Sequence, residues 1–427
     1  MSTPALGEER IAPLDLNWVR AQFPSLGQSV NGHPATFLDG PAGTQVSQRV
    51  IDAFREYFEH SNANTCGQFA TSRSTDEMIA SARAAMADFF NCAADEVSFG
   101  PNMTTITFAL ARAIGRELAP GDEIVVTTLD HDANVAPWRA LEERGVVVRQ
   151  ADIRVEDCTL DMDDLRSKIN SRTRLVAVGY AANAVGTINP VAEIVRLAHG
   201  AGALAFIDAV HYAPHGSIEV RALDCDFLVC SPYKFFGPHM GCLYGKRDTL
   251  MRFRPYKVRP APEALPDRWE TGTQTHEGIA GVAAAVNYLA ELGRRSNPGA
   301  AGNRRAELVS AYRAIRQHEM SLAARMIRGL VEISGLRFFG ISDAARFGER
   351  VPTVAVLLAG QTPQAAARFL GDRGIFTWDG NYYALNLTER LGVEKDGGLL
   401  RIGLVHYNTA EEVERLLDAL REFARLH

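Results

Sequence analysis

Two periodicities divide this chain. In its first two thirds, short unbroken apolar runs recur: VSF from Val97, EIVVTT from Glu123 to Thr128, GVVVRQ from Gly145, RLVAVGY from Arg174, AFID ending at Asp208, and a run ending just before Ser231. Continuous runs of that length, bounded by turn residues, predict buried strands. Between them apolar positions return every three or four residues, as at Val46, Val50, Ile51, Phe54 and Phe58, and the segments from Val191 to Gly200 and from Ile279 to Leu292 have the same character. That spacing predicts helices. Strands alternating with helices predict an open α/β sheet. After the loop SNPGAAGNRR the pattern becomes a long helix, strands near 336–340 and 352–358, a helix over about 362–372, a strand at LLRIGLV and a final helix. The expected organisation is an N-terminal arm over 1–36, a large domain over 37–295 and a smaller domain over 296–427. Trp18, Phe23 and Leu26 would pack one short helix of the arm against the body, and the arm could pack with the small domain.

The stretch from Ala205 to Gly245 concentrates the chemistry. One apolar run ends in Asp208, a second ends before Ser231, and Lys234 follows in a loop rich in Gly, Pro and aromatics. A carboxylate and an amine thus reach one edge of the sheet, and ligands bind outside the carboxyl ends of strands in such sheets. Taken alone, Lys234 reads as a surface lysine beside a turn. Flanked by Tyr233, Phe235 and Phe236, it is poorly solvated, which favours the neutral, nucleophilic amine that forms Schiff bases.

Bulk composition narrows the partners. Lys and Arg total 45 against 51 Asp and Glu, a net charge of -6 that gives no footprint for nucleic acid or an anionic membrane. Apolar residues make up 46%, ordinary for a globular protein. MSTPALGEERIAPLDLNWVR lacks a basic segment followed by an apolar core, and no apolar run spans a bilayer, so a cytoplasmic location is expected. Cys66, Cys92, Cys158, Cys225, Cys230 and Cys242 show no metal-type spacing, and no metal site is expected.

The Asp208 and Lys234 block resembles the core of fold-type I enzymes that use pyridoxal 5'-phosphate (PLP), in particular the class V aminotransferases and their cysteine desulfurase and selenocysteine lyase branch. The resemblance runs from about Phe37 to the C-terminus. It implies an α/β fold with a mostly parallel seven-stranded sheet and a smaller α+β C-terminal domain. It also implies that Lys234 holds the cofactor as an imine, that Asp208 pairs with the pyridinium nitrogen, and that His131 stacks on the ring and relays protons. Asn102, Met103 and Thr104 open a helix where the family places the phosphate, and a helix start offers free N–H groups there. Asn183 in AANAVGTINP corresponds to an Asn beside the cofactor oxygen. Ser231 is retained near the phosphate, while Tyr233 stands for a family His and His211 for a Gln that bonds the phenolic oxygen. Thr273 in WETGTQTHEG would reach the phosphate of a neighbouring subunit, which implies a homodimer with shared sites. Arg401 matches the arginine that forks onto the substrate α-carboxylate. Ala42, in the turn FLDGPAG, would meet substrate through its backbone, and Cys66 lies in a segment that the family folds over the cofactor.

One departure limits the reaction. Desulfurases carry a cysteine on a C-terminal loop, whose thiolate takes sulfur as a persulfide. Here the corresponding stretch, GIFTWDGNYYALNLTERLG, has none. Tyr383 occupies that place, Tyr382 precedes it, and Trp378 stands where the family often has an arginine. The expected activity is a PLP-dependent lyase that cleaves a Cβ substituent, such as sulfinate, selenium, sulfur or carboxylate, from a small α-amino acid. An aminotransferase or epimerase of the same superfamily is the alternative, and a silent scaffold kept for a protein partner a third.

Overall fold

The computed structural model describes residues 11–426, so the first ten residues of the expected arm lie outside the described residues. Seven strands form the central sheet: β1 (Val97–Gly100), β2 (Glu123–Thr127), β3 (Val147–Ala151), β4 (Thr173–Gly179), β5 (Leu204–Asp208), β6 (Phe227–Cys230) and β7 (Gly241–Gly245). Their order is β1-β7-β6-β5-β4-β2-β3. All neighbouring pairs are parallel except those of β7, which runs antiparallel to both β6 and β1. Strands β1, β2, β6 and β7 are buried at every position, which is why they read as unbroken apolar runs rather than as alternations. At the sheet edge β3 is only partly covered.

Helices cover both faces. His276–Ser296 and Arg304–Val331 are the two long ones on the side that also receives Ala70–Phe90, while Met103–Ile114 packs on the other with Trp138, Phe206 and Phe227. The segment after β2 forms no continuous helix. A tight turn over Asp132–Asn134 precedes a single helical turn, Ala136–Arg139, with Pro137 near its start, a place where the missing N–H costs nothing. Helix Gln48–Glu56 buries Val50, yet Ile51 is 46% exposed and Phe58, just beyond it, 54% exposed. One chain therefore leaves part of that apolar face uncovered.

A second, fully antiparallel sheet follows: β8 (Leu336–Phe339), β9 (Thr353–Leu358), β10 (Trp378–Gly380) and β11 (Leu399–Gly403), in the order β8-β9-β11-β10. Strand β10 was not foreseen, since its three residues carry no periodic signal and its partner lies about twenty residues on. The N-terminal segment ties into this region. Thr36–Phe37 pairs in parallel with Ile375–Phe376, and Arg20 binds the Tyr407 carbonyl at 2.7 Å and the Glu412 carboxylate at 2.9 Å. Among the described residues, no helix is long and apolar enough to cross a membrane.

Candidate active site

The strand order reverses between β2 and β4, because the chain leaves β2 for β3 on one side and returns to β4 on the other. A crevice opens at the carboxyl ends of strands around such a switch point. Here it is a cavity of about 580 Å³. His131 enters it after β2, Asn183 after β4, Asp208 at the end of β5, and Ser231, Tyr233 and Lys234 after β6; Asn102, Met103 and Thr104 enter at a helix start, and Arg401 comes across from β11. Ala42, His211 and Tyr383 complete the expected residues found there.

Lys234 is buried, and its amine donates to the carbonyls of Pro41 and, at 2.8 Å, Ala42. The Gly/Pro turn thus meets the amine directly. Burial, and then the positive charge of Arg401, bring the amine down to about 7, so a large neutral fraction exists at neutral pH. Asp208 is buried with one oxygen accepting the Val210 N–H at 2.9 Å. Burial raises it to about 6, and above that pH it is a carboxylate.

His131 caps the turn that follows it. The Ala133 N–H donates to Nδ1 at 3.0 Å, so Nδ1 is the unprotonated nitrogen and the neutral ring carries its proton on Nε2. Burial, then Lys234 and Arg401, depress the ring to about 4. At neutral pH His131 is therefore an uncharged Nε2–H donor. The Tyr383 ring stacks beside it, centroids 5.4 Å apart. His211 is buried and already shares Nε2 with the Thr353 hydroxyl at 3.0 Å, leaving Nδ1 for any other partner.

At the opposite end, Asn102 caps helix Met103–Ile114 by accepting the Thr105 N–H at 2.8 Å, and the Met103 N–H faces Ser231 Oγ at 3.4 Å. Gly241 lies against this turn: a Cβ there would stand 2.5 Å from the Asn102 backbone carbon. Only glycine lets β7 pass so close to the helix start.

Two expected residues are not brought to this cavity within one chain. Cys66 and Thr273 line a second cavity together with Asp76, Arg83 and His276, and Cys66 is exposed, at φ 64°, with its N–H on the Asp76 carboxylate at 3.2 Å. Sequence reading missed others. Asp130, next to His131, is buried and accepts the Gly179 N–H at 2.6 Å, and burial pushes it up to about 8. Tyr382 lays its ring over Arg401. The adjacency to His131 could have drawn attention to Asp130; Tyr382 was read only as the neighbour of Tyr383, and nothing local announces its contact with Arg401.

These donors fit PLP. A buried amine of depressed basicity, a carboxylate at the facing strand end and a helix start with a hydroxyl beside it match an aldehyde, a ring nitrogen and a phosphate, and Asn183 Oδ1 is buried without a partner. The whole chain also resembles known proteins. Residues 36–416 match the family model described as aminotransferase class-V. A protein named cysteine desulfurase from Pectobacterium atrosepticum is 33% identical over 425 residues, covering 96% of this chain and 98% of that one; one of the same name from Dickeya dadantii is also 33% identical, covering 96% of each. Among solved structures, the cysteine desulfurase of Thermococcus onnurineus superposes with a TM-score of 0.86 at 25% identity over 100% of both chains, and that of Escherichia coli with 0.81 at 25% identity over 96% of this chain and 99% of that one. The chain therefore belongs to the class V aminotransferase family of PLP-dependent enzymes, and within it is cysteine desulfurase-like.

Proposed function

We propose that this enzyme acts on a small α-amino acid and cleaves a Cβ substituent that leaves without help from a loop cysteine. The observation that carries this reading is the stretch from Gly374 to Gly392, which holds Tyr382 and Tyr383 at the cavity and contains no cysteine. Lys234, Asp208, His131, His211 and Asn183 would hold the ring end of the cofactor; Asn102, Met103, Thr104, Ser231 and Tyr233 its phosphate. When bound, PLP supplies an electron sink for negative charge developing at the substrate Cα. The Lys234 amine, about half neutral near pH 7, takes the Cα proton as general base. Asp208, ionised above about pH 6, balances positive charge at the ring nitrogen. His131 offers Nε2–H and no basic nitrogen to the cavity, so it donates rather than abstracts. Arg401 grips the α-carboxylate, and Ala42 borders the substrate through its backbone. Trp378, Tyr382 and Tyr383 line the cavity with aromatic surface, which suits a drier pocket that protects carbanionic character from stray protonation.

The test supplies holoenzyme with cysteine sulfinate, selenocysteine, cysteine and aspartate in turn. Alanine formed catalytically, with no keto acid required, is the expected outcome for at least one of them. Turnover that depends on an added keto acid would make it an aminotransferase, and inversion at Cα without loss of the substituent an epimerase.

A homodimer with shared sites is part of the same proposal. Its support is that Thr273 is exposed outside the Lys234 cavity, and that Ile51, Phe58 and Phe69 are all uncovered in one chain. Sedimentation equilibrium at micromolar concentration is expected to read twice the chain mass, and Thr273→Ala to weaken cofactor retention about tenfold. A monomer that retains cofactor fully would end the dimer reading.

A further inference from the structure

Arg401 sits on β11 opposite Ala355 of β9 and Trp378 of β10, is 5% exposed, and has no carboxylate within ion-pair distance among the described residues. Three contacts close a ring around it. Its Nη1 donates to the Asn183 backbone carbonyl at 3.0 Å. The Asn183 side chain donates through Nδ2 to the Tyr382 carbonyl at 2.9 Å. The Tyr382 ring in turn covers the guanidinium, 4.1 Å from ring centroid to central carbon.

Tyr382 is itself held in an unfavourable shape. It and Tyr383 have φ of 55° and 59°, left-handed values that side chains with a Cβ rarely adopt and that persist where surrounding structure over-determines them. What over-determines them is visible: the Tyr382 hydroxyl donates to the Leu399 carbonyl, the Asp132 N–H donates to the Tyr383 carbonyl at 2.6 Å, and Asn381 Oδ1 accepts the Tyr383 N–H at 3.1 Å. The strained pair puts one ring over Arg401 and the other beside His131.

We propose that Tyr382 is the positioning residue for Arg401, and that the clasp of Asn183, Tyr382 and Arg401 confines this site to amino acids with a planar α-carboxylate. The proposal rests on Arg401 being the carboxylate anchor and deepens that reading. With one face covered and Nη1 engaged, the guanidinium cannot swing, and its remaining N–H groups form a fork in one plane. Two carboxylate oxygens lie in that plane. A tetrahedral phosphonate also offers two oxygens to the fork, but its third oxygen and its Cα then leave the plane on opposite faces, so one of the two is driven against the Tyr382 ring, whereas the Cα of a carboxylate stays in the plane. The ring therefore both orients the cation and rejects the tetrahedral group.

L-alanine and 1-aminoethylphosphonate are the probes, titrated against holoenzyme while the visible cofactor absorbance reports binding. Tyr382→Leu is expected to weaken L-alanine about tenfold and to narrow the preference for carboxylate over phosphonate, whereas Tyr382→Phe, which keeps the ring, stays within about threefold of the parent on both measures. Cofactor absorbance before titration checks that each variant is loaded, and Tyr382→Met replaces the leucine variant if that one does not fold. Unchanged affinity and preference in Tyr382→Leu overturn the proposal, as does a Tyr382→Phe variant as impaired as the leucine one, which would assign the effect to the hydroxyl on Leu399. Arg401→Ala separates the two levels. If it leaves L-alanine binding intact, the anchor reading fails as well; if it abolishes binding while Tyr382→Leu does nothing, only the clasp fails.

Discussion

Lys234→Ala is expected to abolish the visible absorbance band near about 420 nm that an imine of PLP gives, and to lower kcat by about ten-thousandfold. No other amine is placed to substitute, because Lys234 is the sole lysine lining the cavity among the described residues. The pH dependence of loading follows from the same geometry. Burial and then Arg401 lower the Lys234 amine to about 7, so its neutral, nucleophilic fraction grows as pH rises and levels off above that value. Asp208 and Asp39 oppose this shift through their negative charge, and both are themselves raised to about 6 by burial. The rate at which cofactor-free protein takes up PLP should accordingly climb from about pH 5 and flatten a little above about pH 7. A lysine in open solvent would still be climbing at about pH 9. A band that survives in Lys234→Ala, or an uptake rate still rising at about pH 9, would remove the assignment of this amine.

How much of this site could be read from the chain depends on how local each signal is. Asp208 and Lys234 were legible because both follow apolar runs whose strands are buried on both faces, so their place at the carboxyl edge follows from the pattern itself. His131, Asn183 and Arg401 needed the family resemblance, since their assembly depends on strand order and on a contact between the two sheets. The Arg401 clasp lay beyond both. Its ring closes over 218 positions between Asn183 and Arg401, and left-handed φ at two consecutive tyrosines contradicts local preference. Cys66 was expected near the cofactor; within one chain it lines a separate cavity with Thr273, just before the start of Ala70–Phe90, which packs on His276–Ser296, a placement the polar character of its loop does not indicate. The exposed Ile51 and Phe58 show the converse: helical spacing marks an apolar face correctly without saying what covers it.

Asp208→Asn is expected to lower kcat by about a thousandfold while leaving KM within about threefold of the parent. The exchange is nearly isosteric, and the amide oxygen can still accept the Val210 N–H that now bonds Oδ1 at 2.9 Å, so the strand end and the cavity wall should keep their shape. What disappears is one negative charge in a buried place. That charge would keep a bound ring nitrogen protonated, and only a protonated ring would accept the negative charge that develops at Cα; first binding of substrate makes no such demand, so the loss should fall on kcat. Asp130 cannot take over. It is pushed up to about 8 by burial first and by the Asp208 charge among the lesser causes, so near neutral pH it is mainly protonated, and its Oδ1 is committed to the Gly179 N–H. Removing the charge of Asp208 should even ease the ionisation of Asp130, but on an oxygen that already serves the backbone of β4. Because Lys234 is untouched, the visible band should still form in Asp208→Asn, and its presence separates a lost counter-charge from a lost fold. A variant whose kcat stays within about tenfold of the parent would mean that the ring nitrogen draws no support from β5, and the acid that balances it would have to be sought elsewhere in the cavity.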